Sequence, residues 1–306
     1  MVPKADFSSY YGRPILKRPT WRWFIPAYFF LGGLAGASGP IAGMARLVGR
    51  RGLARRARLA SLASISVGGI LLVVDLGRPE RFLNMLRVAK PSSPMSVGTW
   101  ILTAFGPAAG AAALSDLTGI APGVGLAGDI GITVLGPLVA TYTGVLIANT
   151  AVPAWSQAGK ELPFLFGASG TAAAAGVSCL LAPKGLAGAP RRLAVCAAGA
   201  ELVVDEVMKR RLGETARPYE EPGVVRNLHR LAKAASVCGI ASLVIGRRGT
   251  LARAGGVAIA LGSALERFAV FHAGIATTDD PAYVVRPQRK RLQERSGSLG
   301  QVEKTI

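Results

Sequence analysis

The sequence is poor in the residues that hold metals, and poor in acid. Of its 306 residues two are histidine, three are cysteine and 17 are Asp or Glu. Cys179, Cys196 and Cys238 all fall in apolar stretches and share no CxxC-type spacing, which excludes an iron–sulfur cluster ligated by this chain. A haem held by two histidines needs both imidazoles facing each other inside one bundle. His229, at or beyond the edge of its apolar stretch, reads as a surface position, and His272 as a packed one. The expectation is a chain with no haem and no iron–sulfur cluster of its own. Charge is scarce as well, 17% of residues against 50% hydrophobic, which is too apolar for an ordinary soluble enzyme of this length. A nucleotide-binding glycine loop is also missing. Gly32, Gly33, Gly36 and Gly39 follow no strand and sit in an apolar run, where small residues let helices approach closely.

What is present in abundance is apolar sequence, arranged in blocks. A bilayer core about 30 Å thick takes roughly 20 apolar residues per helix. Eight such blocks occur between charged punctuation: Trp21 to Met44, Leu59 to Leu76, Ser96 to Leu114, Ile130 to Thr150, Leu162 to Ala182, Leu193 to Met208, Leu231 to Ile245 and Leu251 to Ala276. The sixth and seventh are the shortest. The fold expected is an all-α integral membrane protein of about eight transmembrane helices. Polar residues precede the first block, so it is expected to be a retained helix and not a signal peptide.

The formal charge of +19 lies almost wholly in loops and tails, which suits anionic lipid better than nucleic acid. An even helix count puts both termini on one face, here called the near face. Twenty-three of the 36 Lys and Arg then fall near and twelve far, with Arg267 inside a span. That bias points to a multi-pass protein of the cell membrane with cytoplasmic termini.

A few ionisable residues lie in or at the edge of the spans. Glu201 and Asp205, four apart, share one helical face, and Glu266 and Arg267 sit at similar depth in the last span, so an Arg267 to Glu201 pair is expected. Acids at such depth serve proton or ion paths or persist as paired structural groups, and both readings stay open. Asp75 ends the second span, where a carboxylate meets the negative end of the helix dipole. It either pairs with Arg78 as a clamp on the loop or exchanges protons at the membrane edge. Tyr142 lies about 12 Å from the near boundary on helix rise, and on its residues alone reads as a phenol packed against a neighbouring carbonyl.

Two segments carry a resemblance. Asp75-Leu-Gly-Arg-Pro-Glu-Arg-Phe82, followed by Pro91-Ser-Ser-Pro-Met-Ser-Val-Gly-Thr-Trp100, resembles the NrfD family of polysulfide-reductase-type membrane subunits. Tyr142-Thr-Gly-Val-Leu-Ile-Ala-Asn-Thr-Ala-Val-Pro-Ala-Trp155 is similar to the end of that family's fourth helix, and Ile25 to Gly36 fits its opening. The resemblance implies two four-helix bundles, here 1–155 and 156–278, followed by a basic polar tail, 279–306. It implies a quinone (menaquinone or ubiquinone) bound by the first bundle near one face, with Asp75, Arg78, Tyr142, Asn149 and Tyr28 as candidate contacts. It also implies a ferredoxin-like iron–sulfur subunit docked above, a molybdopterin oxidoreductase subunit completing the complex, and lipid around the rest. The function expected is the membrane-anchoring, quinone- or quinol-interacting subunit of a multi-subunit oxidoreductase, not catalytic alone. The rivals are a proton or ion transporter using Glu201, Asp205, Glu266 and Arg267, and a passive anchor.

Overall fold

A computed structural model describes residues 14–78, 80–183, 185–246, 249–289 and 292. Among them are eleven α-helices and no strand. Eight helices are long: α1 (Phe24–Leu47), α2 (Arg51–Asp75), α4 (Pro94–Thr118), α5 (Pro122–Ala148), α7 (Leu162–Leu181), α8 (Gly188–Leu212), α10 (Val224–Ile245) and α11 (Thr250–Asp279). Three short ones, α3 (Arg81–Leu86), α6 (Pro153–Gln157) and α9 (Arg217–Glu220), lie in near-face connections.

Seven of the long helices are long and apolar enough to cross a membrane. The exception is α8, the sixth block of the sequence, which has 25 residues but carries Arg191, Arg192, Glu201, Asp205 and Glu206 along its length. Charge-free blocks also understate several helices. α2 begins at Arg51, eight residues before Leu59, because Leu53, Ala54, Ala57 and Arg58 form one buried stripe on it. α10 begins at Val224, seven residues before Leu231, for the same reason.

The long helices alternate in direction. One apolar cluster joins Ile25 and Phe29 at the start of α1, Ile147 at the end of α5, Leu162 at the start of α7, Met208 at the end of α8, Val225 at the start of α10 and Phe271 near the end of α11. These ends share the near side. Ala45, Leu53 and Ala182 meet at the opposite end. α1 is central and packs on α2, α5, α7 and α11, while α7 packs on α8 and α11, and α10 on α11. The α6 turn locks the near end, with Trp155 fully buried, its Nε1 donating to the Val270 carbonyl at 2.8 Å and its ring stacked on Trp21.

The glycine run of α1 makes the backbone approaches expected of it. A Cβ on Gly36 would overlap the Gly136 carbonyl of α5, and one on Gly33 would press on Gly170 of α7. Pro40 and Pro137 interrupt the same pair of helices, each removing a helical N–H donor beside that crossing.

Of the basic tail, 282–289 are helical, and Arg286 lies 3.6 Å from Glu214 on the turn after α8. Lys290, Arg291 and Arg295 of that tail fall outside the described residues.

Candidate functional site

Two groups of sequence-flagged residues gather at the near half. The first surrounds the ends of α1, α2, α4 and α5. Tyr28 and Tyr142 join one apolar cluster with Leu72 and Leu102. The Tyr28 ring lies over Gly68 of α2, and the Tyr142 ring over Gly98 of α4, where any Cβ would overlap it. Tyr28 is 1% exposed and its phenol oxygen has no hydrogen-bond partner among the described residues. Ser38, Thr143 and Ser169 are likewise buried hydroxyls without a partner among the described residues, and buried polar groups normally find one.

Asp75 ends α2 one turn beyond Leu72, half-buried, and Gly77 at φ 69° ends the helix behind it. The clamp with Arg78 does not form. Arg78 is exposed, and Asp75 instead faces the backbone amide and guanidinium of Arg22, from the segment entering α1. Asn149 caps the end of α5 and is exposed. Between α2 and α4 the chain is pinned from within: Ser96 Oγ donates to the Val88 carbonyl at 2.8 Å and accepts from Lys90 N at 3.0 Å, and Trp100 Nε1 donates to the same carbonyl at 3.1 Å. Its basic residues Arg81, Arg87 and Lys90 are exposed.

The second group lies among α8, α10 and α11. Glu201, Asp205, His229, Glu266 and Arg267 are each between 1 and 4% exposed. His229 is therefore not a surface residue. Its Nδ1 is hydrogen-bonded to Glu266 Oε2 at 3.3 Å, while its Nε2 lies 3.5 Å from Asp205 Oδ2 without forming a hydrogen bond to it. Lys233 Nζ reaches the same Asp205 oxygen at 2.9 Å and extends to Glu206 at 3.5 Å, at the solvent side. Ser263 Oγ donates to Glu201 Oε2 at 3.2 Å. Tyr219 of α9 meets the His229 ring edge-on, with centroids 5.1 Å apart, and burial beside Glu266 and Asp205 pushes its phenol pKa well above the ordinary range.

Arg267 and Glu201 do not close an ion pair within 4 Å. Arg267 Nη2 donates to the Phe166 carbonyl at 2.6 Å and its guanidinium stacks 3.6 Å over the Phe166 ring. It nonetheless sits in the field of both Glu201 and Glu266. Three carboxylates thus share a buried site with two permanent cations, Lys233 and Arg267.

The group also has depth. On helix rise Asp205 lies about 10 Å below the near end of α8 and Glu201 about 17 Å. A cavity of about 10 Å³ between Glu201, Asp205, Lys233, Ser236 and Glu266 is at the limit for one water. Asp205, His229 and Glu266 offer ligand atoms within 4.8 Å of one another. A metal there would meet Lys233 on Asp205, so an ion-pair and proton network fits this donor set better.

A third network went unflagged in the sequence. At the far end Asp129 is 3% exposed and accepts from Arg58 Nε at 2.6 Å, Arg58 Nη2 at 2.8 Å and Arg46, while Arg58 Nη1 reaches Asp116 at 2.9 Å. It ties α1 and α2 to α4 and α5.

The apolar helices and the residues at their near ends agree with one comparison. A match to the polysulfide reductase family, NrfD type, spans residues 7–209. The chain belongs to that family. It is accordingly a multi-pass membrane subunit, the anchor of an oxidoreductase complex that has other subunits. No curated protein matches the sequence. The match covers the first group entirely and the Glu201 and Asp205 part of the second, whereas His229, Lys233 and Glu266 lie beyond it.

Proposed function

We propose that this NrfD-type subunit exchanges electrons between the membrane quinone pool and an iron–sulfur partner docked on its near face. The observation that carries the reading is the unpartnered Tyr28 phenol, buried in the cluster it shares with Tyr142, at the end of the bundle where α2 presents Asp75. A quinone fits these residues: an apolar wall takes its ring, and phenol donors serve its carbonyls. When bound, the quinone supplies two-electron, two-proton chemistry. Tyr28 and Tyr142 would donate hydrogen bonds that orient the headgroup. Asp75, at the aqueous edge beside Arg22, would take or return protons, with Arg78 and Asn149 at the rim. Electrons would pass between this quinone and the partner, a ferredoxin-like subunit that itself exchanges them with a molybdopterin subunit. The exposed basic segment from Arg78 to Lys90 offers that partner a positive surface.

The second group would conduct protons in from the near side. Asp205 and Lys233 form the mouth, His229 takes a proton at one ring nitrogen and releases it at the other, and Glu266 and Glu201 accept it at depth. Arg267 would hold the inner end by its field on both acids. The near face is cytoplasmic in this reading, and the membrane is the cell membrane. A second reading, an ion transporter that uses this network without quinone, is favoured by the same buried histidine. Extraction of quinone from the purified complex, together with identification of its copurifying subunits, separates the two. Bound quinone and an iron–sulfur subunit support the first, and ion flux in liposomes lacking any redox partner supports the second.

A further inference from the structure

A groove of about 660 Å³ opens at the far end and runs between α1, α5, α7 and α8 past mid-bundle as far as Thr141 and Gly167. Pro40, Ile41, Met44 and Val48 of α1 form one wall and Leu193 of α8 part of the other. Pro40 of α1 and Pro137 of α5 both line it, with the small residues Ala140, Gly167 and Ala189. From Ala37 to Val48 the groove follows α1 for about 16 Å on helix rise. Half a hydrocarbon core is about 15 Å. An acyl chain hanging from the far headgroup layer has that reach.

The rim carries one cation, Arg50. Of the other arginines at this end, Arg46 and Arg58 pair with Asp129, Arg55 with Asp116 and Arg191 with the Leu243 carbonyl at 2.8 Å, while Arg51 is exposed and lies outside the groove. Arg50 makes no ion pair among the described residues. A guanidinium left without a counter-charge, half-buried at the mouth of an apolar groove of acyl-chain length, is complementary to one kind of molecule in a bilayer.

We infer that this groove binds an anionic phospholipid, with an acyl chain between α1, α5, α7 and α8 and the phosphate on Arg50. The inference does not rest on the quinone reading, since its anion contact, Arg50, lies at the other end of the bundle.

The test exchanges the purified complex into bilayer nanodiscs of mixed phosphatidylglycerol and phosphatidylcholine and measures lipid retained after mild delipidation, by native mass spectrometry. Preferential retention of phosphatidylglycerol is expected. It should fall about fivefold in Arg50→Gln, the effect of one basic residue on anionic lipid. Arg51→Gln, exposed and outside the groove, should retain the wild-type level. Thr171→Trp, which fills the groove from α7, should lose the lipid with Arg50 intact, and Arg50→Gln carries the test if that variant fails to fold. Equal retention of both lipids, equal loss in Arg50→Gln and Arg51→Gln, or quinone in place of lipid in the groove would each overturn the assignment.

Discussion

His229 Nδ1 lies 3.3 Å from Glu266 Oε2, inside a helical bundle and less than two turns from the start of α10. A neutral imidazole donates from one nitrogen only, and here both nitrogens face carboxylates. In the proposed proton path this pair would stand between Asp205 and Lys233 on one side and the deeper Glu201 on the other. His229→Gln keeps a polar side chain but ends the relay. Proton-coupled turnover of the intact complex should fall at least tenfold with the protein still folded, and Glu201→Gln should act in the same direction. Wild-type rate and proton stoichiometry in both variants would leave the network as a set of structural pairs.

The Asp129 network predicts a large stability effect far from any proposed chemistry. Removing one partner of a buried ion pair costs about 3–5 kcal/mol, because the orphaned charge stays buried. Asp129→Asn leaves the buried Arg58 with only the part-exposed Asp116 and takes the acid from Arg46, and should lower thermal stability in detergent sharply, whereas Asp116→Asn, at a side chain 30% exposed, should do little. Equal melting temperatures for the two variants would contradict this ranking.

Gly36 of α1 and Gly136 of α5 each occupy the space that the other's Cβ would need. Gly36→Leu must push the two backbones apart, and overpacking costs typically about 1–3 kcal/mol. Reduced yield of folded protein, judged by monodispersity in detergent, is expected for Gly36→Leu. Gly69→Leu, where a Cβ meets nothing, should be neutral.

The alternation of the eight long helices predicts that fusions at the two chain ends report the same side of the membrane, the cytoplasm in our reading. Opposite labelling of the ends would remove the eight-helix topology.

Apolar blocks made the helices legible, and the glycines of α1 announced its close packing. Helix ends were not legible where arginine and lysine enter them. Arg51, Arg55 and Arg56 sit on the exposed face of α2, while Arg58 turns inward to Asp129, so a hydropathy reading ends the span although the helix continues. The same effect hid His229. Placed outside its span by Arg226 and Arg230, it belongs to the stripe Val225, His229, Ala232, Ser236 and Gly239 that α10 buries, and that spacing was the available signal. Asp129 was concealed likewise, one residue before an apolar block, although Gly125, Gly128, Ile132 and Gly136 mark its face as the buried one. Which carboxylate pairs with which cation depends on helix rotation and packing, and no spacing rule supplies it. The absence of the Asp75 to Arg78 clamp, one of the two readings open for Asp75, has that origin, because Arg22 reaches Asp75 from another helix entry.

The central claim is that Tyr142 and Asp75 serve one quinone site at the near end. Steady-state quinol oxidoreductase activity of the intact complex, measured across pH for Tyr142→Phe and Asp75→Asn at equal expression, tests it most directly. Losing one hydrogen bond to the headgroup costs about 0.5–1.5 kcal/mol, so Tyr142→Phe should raise KM for quinol about three- to tenfold. Asp75→Asn should chiefly lower kcat and shift its pH profile, because the group that exchanges protons at the edge is gone. Wild-type kinetics for both variants at every pH would contradict the account and move the site elsewhere.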